Sequence, residues 1–174
     1  MTAFVEPHTP RWSEDFRREK AEILNALGDH QIALHHIGST AVPALLAKPI
    51  IDLLGETSDL RAFDAIAVVL ESLRYQAMGA YGIEGRRFFR KFDREGRRSH
   101  HLHVFERGSP HIERHLAFRD YLIAHPEAAS AYGALKADLT RGAGVTWEQY
   151  IAGKDSFVRL TEASALKWAR SRAK

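Results

Sequence analysis

The residues with the clearest chemical purpose lie between positions 36 and 52. His36-Ile37-Gly38-Ser39-Thr40-Ala41-Val42-Pro43 is followed by Lys48-Pro49-Ile50-Ile51-Asp52. A strand that ends in Gly-Ser-Thr lets the backbone turn sharply, leaves amide N–H groups at the turn, and sets the hydroxyls of Ser39 and Thr40 beside them. That arrangement suits phosphate oxygens. A second strand delivers Asp52 next to this loop. Its carboxylate is the kind of hard oxygen ligand that Mg²⁺ or Mn²⁺ shares with substrate phosphates. Lys48 can offset the phosphate charge that remains. The same residues also read as an ordinary turn with a locally capping aspartate, because short Gly-Ser motifs recur by chance.

Two further clusters carry chemistry. Arg86, Arg87, Arg90, Lys91, Arg94, Arg97 and Arg98 crowd one stretch, and the planar guanidinium fork suits bidentate phosphate contacts. On a strand, Arg86, Phe88 and Arg90 share one face and Arg87, Phe89 and Lys91 the other, so one face can point into a site. The alternative is a solvated edge hairpin whose arginines discourage association. His100-His101-Leu102-His103-Val104 places His101 and His103 together on one strand face. Such a pair can ligate metal with Asp52 as a further ligand, or one ring can act as acid or base near neutral pH. Hydrogen-bonded histidines on a half-buried sheet face are the plainer alternative.

The elements that must position these residues follow from periodicity. Apolar residues at helical spacing predict a helix over Ser13–Leu27, capped by Ser13 and stopped by Gly28. Ile32–Ile37 and the nearly all-apolar Pro49–Leu54 read as strands, with Gly38–Leu46 as the loop between them. Leu60–Leu73 reads as a crossover helix with Ser58 or Asp59 as its cap. Arg86–Phe92 and His101–Phe105, separated by the polar turn Asp93–Ser99, predict a hairpin. His115–His125, Pro126–Thr140 and Trp147–Ala169 predict three helices, with Pro126 at a first turn and Gly142–Gly144 between the last two. The fold class expected is α/β (α+β): a mixed sheet flanked by helices, with a helical C-terminal tail.

Composition narrows the function classes. With 174 residues and 45% hydrophobic content the chain is sized for one domain, expected over positions 1–174. The absence of cysteine rules out disulfides, thiolate metal sites and a cysteine nucleophile. No apolar run is long enough for a membrane span, and the charged N-terminus carries no secretion signal, so a cytoplasmic protein is expected. The net charge of +3 is modest, but the basic surplus is concentrated in Arg86–Arg98 and Lys167–Lys174. The interleaved Phe88, Phe89 and Phe92 read as core more readily than as stacking platforms, so neither nucleic acid nor membrane is the expected partner.

The string HIGSTAVPALLAKPIIDLL resembles the signature of the GrpB family. The likeness continues through Gly85-Arg86-Arg87-Phe88-Phe89, His100–Val104 and Phe118-Arg119-Asp120-Tyr121-Leu122, and on to Tyr132, Leu135, Lys136, Tyr150 and Lys154. The resemblance implies a nucleotidyltransferase-like fold. In that fold a Gly-Ser loop after the first strand binds a triphosphate, and acidic residues on neighbouring strands hold divalent metal. The expected partner is then a nucleoside triphosphate or another phosphorylated small molecule, bound by Gly38, Ser39, Thr40, Lys48, Arg86, Arg87 and Arg119. Mg²⁺ or Mn²⁺ would sit on Asp52, with His101 or His103 in the place of a third carboxylate. Asp52, His101 and His103 are thus the expected catalytic and metal residues, while Lys136 and Lys154 are expected to be solvated. The implied activity is metal-dependent nucleotidyl transfer. A binding module without turnover and a His/Asp metal-dependent hydrolase are the alternatives. One departure bears on that choice: catalytic relatives carry a second carboxylate two residues along the acidic strand, and here that position is Leu54. Glu56 would share the face of Asp52 if the strand stayed regular, although Gly55 is expected to end or bulge it.

Overall fold

The computed structural model describes residues 4–142 and 144–172. The chain forms two compact units, each assembled from separate segments. Pro10–Ile37 with Ile50–Ile112 makes a sheet unit, and Met1–Thr9, Gly38–Pro49 and Glu113–Lys174 make a helical unit.

In the sheet unit, α1 (Arg11–Leu27) is followed by β1 (Ile32–Ile37), β2 (Ile51–Thr57) and α2 (Leu60–Ile66), which continues as a 3₁₀ stretch over Ala67–Leu73. Then come β3 (Tyr75–Ala77), β4 (Arg87–Phe92) and β5 (Arg98–Glu106). The strand order is β1-β2-β5-β4-β3. The central pair β2–β5 runs parallel and every other pairing is antiparallel. This is the mixed, helix-flanked sheet that the sequence predicts, with three further helices behind it in the chain.

The differences from expectation have local causes. Helix α1 starts at Arg11, and the Ser13 N–H donates to the Pro10 carbonyl at 3.1 Å, so no side chain caps it. Gly28, at φ 60°, ends it by returning its N–H to Leu24 O. Asp59 caps α2, its Oδ1 accepting from Arg61 N at 2.7 Å and Ala62 N at 3.1 Å. These N–H donors hold the Asp59 carboxyl below the usual range. The α-helix gives way to 3₁₀ geometry at Ala67, where Val68 and Val69 are β-branched and fit a helix poorly. β2 begins at Ile51, not Pro49, because proline has no N–H for the ladder.

Gly55 neither ends nor bulges β2. It pairs in regular register with Leu34 on one side and Val104 on the other. A Cβ at this position would meet Ile32 Cδ1 and Val104 Cγ2 at 3.0 Å, so glycine is what allows three strands to close here.

One sheet face carries His36, Leu53, His100, Leu102, Phe89 and Lys91, and helices pack against it. Phe16 of α1 stacks on His36 at 4.8 Å, and Phe63 of α2 meets Phe89 edge-on at 6.0 Å. Lys91 and Glu19 are both buried there, with Lys91 Nζ 2.8 and 2.7 Å from the two Glu19 carboxylate oxygens. Glu22 adds a contact at 3.4 Å. His100 Nε2 lies 3.6 Å from Glu19, and burial lowers the His100 pKa despite that carboxylate. The Tyr75 hydroxyl, buried on the same face, has its pKa raised by burial and by Glu19.

The helical unit contains a 3₁₀ turn at Ser39–Ala41, most of α3 (Pro110–Ala124), α4 (Pro126–Thr140) and α5 (Trp147–Arg172). Its core gathers Val42, Leu45, Leu122, Ala129 and Tyr132, with Phe157 of α5 stacked on Tyr132 at 4.9 Å. Pro126 opens α4 as predicted. Of the glycine-bounded link Gly142–Gly144, Ala143 lies outside the described residues, as do the last two positions of the basic C-terminal stretch. Among the described residues no helix is long and apolar enough to cross a membrane.

The buried Lys91–Glu19 pair makes the first prediction. Lys91→Met strands a buried carboxylate and should lower the unfolding free energy by roughly 3–5 kcal/mol. Adding Glu19→Leu should recover most of that loss in urea unfolding. A double variant as unstable as the single one would mean that the pair is not what holds α1 against β4.

Candidate functional site

The opposite sheet face is where chemistry collects. Asp52 pairs with Ile37 of β1 on one side and with His101 of β5 on the other. Phe88 and Arg90 of β4 pair with His103 and His101 respectively. Directly paired residues project to the same side of a sheet, so Asp52, His101, His103, Phe88 and Arg90 share one surface. His101 Nδ1 stands 3.1 Å from Asp52 Oδ1, and His103 Nε2 stands 3.8 Å from the same oxygen. All three ligand atoms lie within 4.8 Å of one another, with His101 buried and the other two half-buried. The two imidazoles are perpendicular, 6.3 Å apart, and Phe88 packs against both, at 5.3 Å from His101 and 4.9 Å from His103.

Arg86, just before β4, completes the cluster. It is only 7% exposed. Its Nε donates to Ala80 O at 3.0 Å and its Nη2 to Tyr81 O at 2.6 Å, while Nη1 lies 3.5 Å from His103 Nδ1. The guanidinium also lies over the Phe88 ring at 4.8 Å. Those carbonyls belong to a turn in which Gly79, Gly82 and Gly85 have positive φ, as does Tyr81 at 44°. Such a turn can bring two carbonyls to bear on one guanidinium.

Arg87 projects from the other face, where it makes a bidentate pair with Asp64 of α2, both contacts at 2.7 Å. Phe88 and Phe89, on opposite faces of β4, are both buried. Leu54 is fully buried between Asp52 and Glu56. Because β2 stays regular, Glu56 does share the Asp52 face. It nevertheless lies four positions along, roughly 13 Å at strand rise, and is held by Arg107 at 3.1 Å with His35 at 3.9 Å. It cannot bracket one metal with Asp52.

The helical unit holds the other predicted residues. Gly38 has φ 71°, a conformation that glycine adopts without strain. Ser39 Oγ accepts a hydrogen bond from Lys136 Nζ at 3.0 Å, and Lys136 also donates to Leu46 O. Lys136 is 1% exposed, as is Thr40, and its ammonium lies over the Tyr132 ring at 4.3 Å. Lys48 Nζ sits 5.5 Å from the Trp147 ring centre. Arg119 of α3 donates to its neighbour Asp120 at 2.7 Å.

A family model described as GrpB protein matches residues 2–164. The chain belongs to the GrpB family. YqkA of Bacillus subtilis is 41% identical over 165 residues, covering 95% of this chain and 48% of its own length, so this chain spans about half of that relative. The crystal structure of the conserved protein GrpB from Enterococcus faecalis is 36% identical and superposes with a TM-score of 0.89, over 95% of this chain and 99% of that one. The Cid1 poly(U) polymerase bound to MgATP aligns at a TM-score of 0.47 and 9% identity, over 72% of this chain and 44% of its own. That last likeness is too loose to bear on ligand or reaction.

Within this GrpB chain, Asp52, His101, His103 and Arg86 come together on one sheet face, and Ser39 joins Lys136 in the other unit. Lys136 is the residue that periodicity undervalues. A lysine on a helix is ordinarily solvated, and only the Tyr-x-x-Leu-Lys likeness to the family marked it. Burial first, and then the charge of Lys154, lower its pKa to about 7.

A depressed lysine pKa has a definite sign for stability. Between about 7 and the ordinary value of 10.5 the unfolded chain binds more protons than the folded one. The penalty for a buried ammonium is therefore full below about pH 7 and is relieved as pH rises. Unfolding free energy should gain up to ~1.4 kcal/mol per pH unit from this group across that window. Lys136→Met should remove that part of the slope. Parallel curves for wild type and variant from pH 7 to 10 would show that Lys136 titrates normally.

Proposed function

We propose that this GrpB chain binds a nucleoside triphosphate, or another phosphorylated ligand, together with Mg²⁺ or Mn²⁺ on Asp52, and that its reaction class is nucleotidyl transfer. The observation that carries this is the company of one half-buried carboxylate: two imidazole nitrogens at 3.1 and 3.8 Å, with a buried guanidinium behind the second. Among these four side chains only Asp52 is anionic, so a bound oxyanion meets N–H donors and a fixed positive charge.

The donor set suits the metal in one way. A single carboxylate matches an ion that completes its shell with water and ligand phosphates, as Mg²⁺ does. When bound, such an ion neutralises charge on the phosphates. His101 orients Asp52 through Nδ1.

A second reading, binding without turnover, draws on Leu54. With that position in the core and Glu56 committed to Arg107, two-metal chemistry has no second carboxylate on this strand. Pyrophosphate release separates the two readings.

Thermal shift with each nucleoside triphosphate, with and without Mg²⁺ or Mn²⁺, tests the proposal directly. A ligand at a hundred times its Kd adds about 2.7 kcal/mol to stability. We expect a metal-dependent rise in Tm for wild type and loss of only the metal-dependent part in Asp52→Asn. If Asp52→Asn keeps the whole shift, Asp52 does not hold the metal. If no triphosphate produces a shift under any condition, the nucleotide reading fails.

A further inference from the structure

We infer that Arg86 is a positioning residue that fixes the His103 tautomer, making His103 an N–H donor toward ligand oxygens and selecting against its use as a metal ligand. This deepens the proposed function, since it rests on Asp52 as the anchor of the site. The chemistry of the guanidinium carries it. Arginine offers five N–H donors, has no acceptor, and stays protonated. Its Nη1 faces His103 Nδ1 at 3.5 Å, long for a hydrogen bond but close enough that an N–H on Nδ1 would set donor against donor. The neutral ring therefore keeps its lone pair on Nδ1 and its proton on Nε2. His103 Nε2, which then carries the proton, lies 3.8 Å from Asp52 Oδ1.

Arg86 cannot easily yield. Two backbone carbonyls hold its other nitrogens at 3.0 and 2.6 Å, the Phe88 ring lies 4.8 Å beneath, and the residue is buried. A metal-bound imidazole normally gives its second N–H to a carboxylate, a carbonyl or water, which orients the ring and raises its basicity. His103 has a cationic donor in that place. Ligation of a transition ion through Nε2 would require the proton on Nδ1, against Arg86. The Asp52, His101 and His103 atoms are near enough to share an ion, yet the surroundings of His103 do not fit that role. A hydrolase built on a three-ligand site is disfavoured accordingly. An oxygen-coordinated ion on Asp52, which leaves His103 free of the metal, is compatible with Arg86.

Two-bond proton–nitrogen correlation spectra of ¹⁵N-labelled protein at about pH 8, where an ordinary imidazole is neutral, read the tautomer directly, with His103→Gln assigning the signal. Wild type should show His103 protonated on Nε2; protonation on Nδ1 would overturn the inference. Arg86→Met should shift the population toward Nδ1–H and tighten Co²⁺ binding, followed by visible absorption, by ~10–100-fold. An unchanged tautomer in folded Arg86→Met would equally overturn it. Should that variant not fold, the wild-type spectrum decides alone. Neither readout involves nucleotide, so failure to bind a triphosphate would remove the proposed function and leave this inference standing.

Discussion

The parallel pairing of β2 with β5 is the constraint on which the rest depends. It sets Asp52 beside His101 and Leu54 beside His103. Side chains alternate along a strand, so a slip of one residue would turn Asp52 toward the helix-covered face and leave Leu53 among the imidazoles. Gly55 secures the register, since Ile32 and Val104 close over it from the strands on either side. One absent side chain therefore lets β2 run straight past the point where the sequence suggests a break.

Buried charge divides the sheet unit into two kinds of face. Toward the helices, buried Lys91 is paired with buried Glu19 and also reaches Glu22, which ties α1 to β4. On the other face, Arg86 meets two carbonyls and an imidazole. Adjoining arginines thus meet different partners: Arg87 pairs with Asp64 on the helix-covered face, and Arg86 is held by the carbonyls of Ala80 and Tyr81.

Leu54 and Glu56 fix how many carboxylates β2 can bring to one point. At strand rise, two residues of separation put carboxylates within reach of a shared metal, and four do not. The buried Leu54 strengthens the sheet where a second acid would weaken it, and Glu56 becomes an ion-pair partner of Arg107. The site that results has one acid, two imidazoles and one ordered arginine.

The sequence by itself determined the class of fold, most element positions and the face on which the chemistry falls. Those depend on local rules: period two put His101 and His103 on one side of a strand, proline opened α4, and the apolar run before Asp52 marked a buried strand. The GrpB signature was legible for the same reason, as contiguous residues. Tertiary structure decided everything that involves partners distant in the chain. Nothing local tells that Arg87 meets Asp64, that β2 pairs in parallel with β5, or that Lys136 is buried against Ser39. The tautomer of a histidine belongs to this second class. It depends on which donor stands beyond the ring, and Arg86, 17 positions away in sequence, is brought there only by the fold.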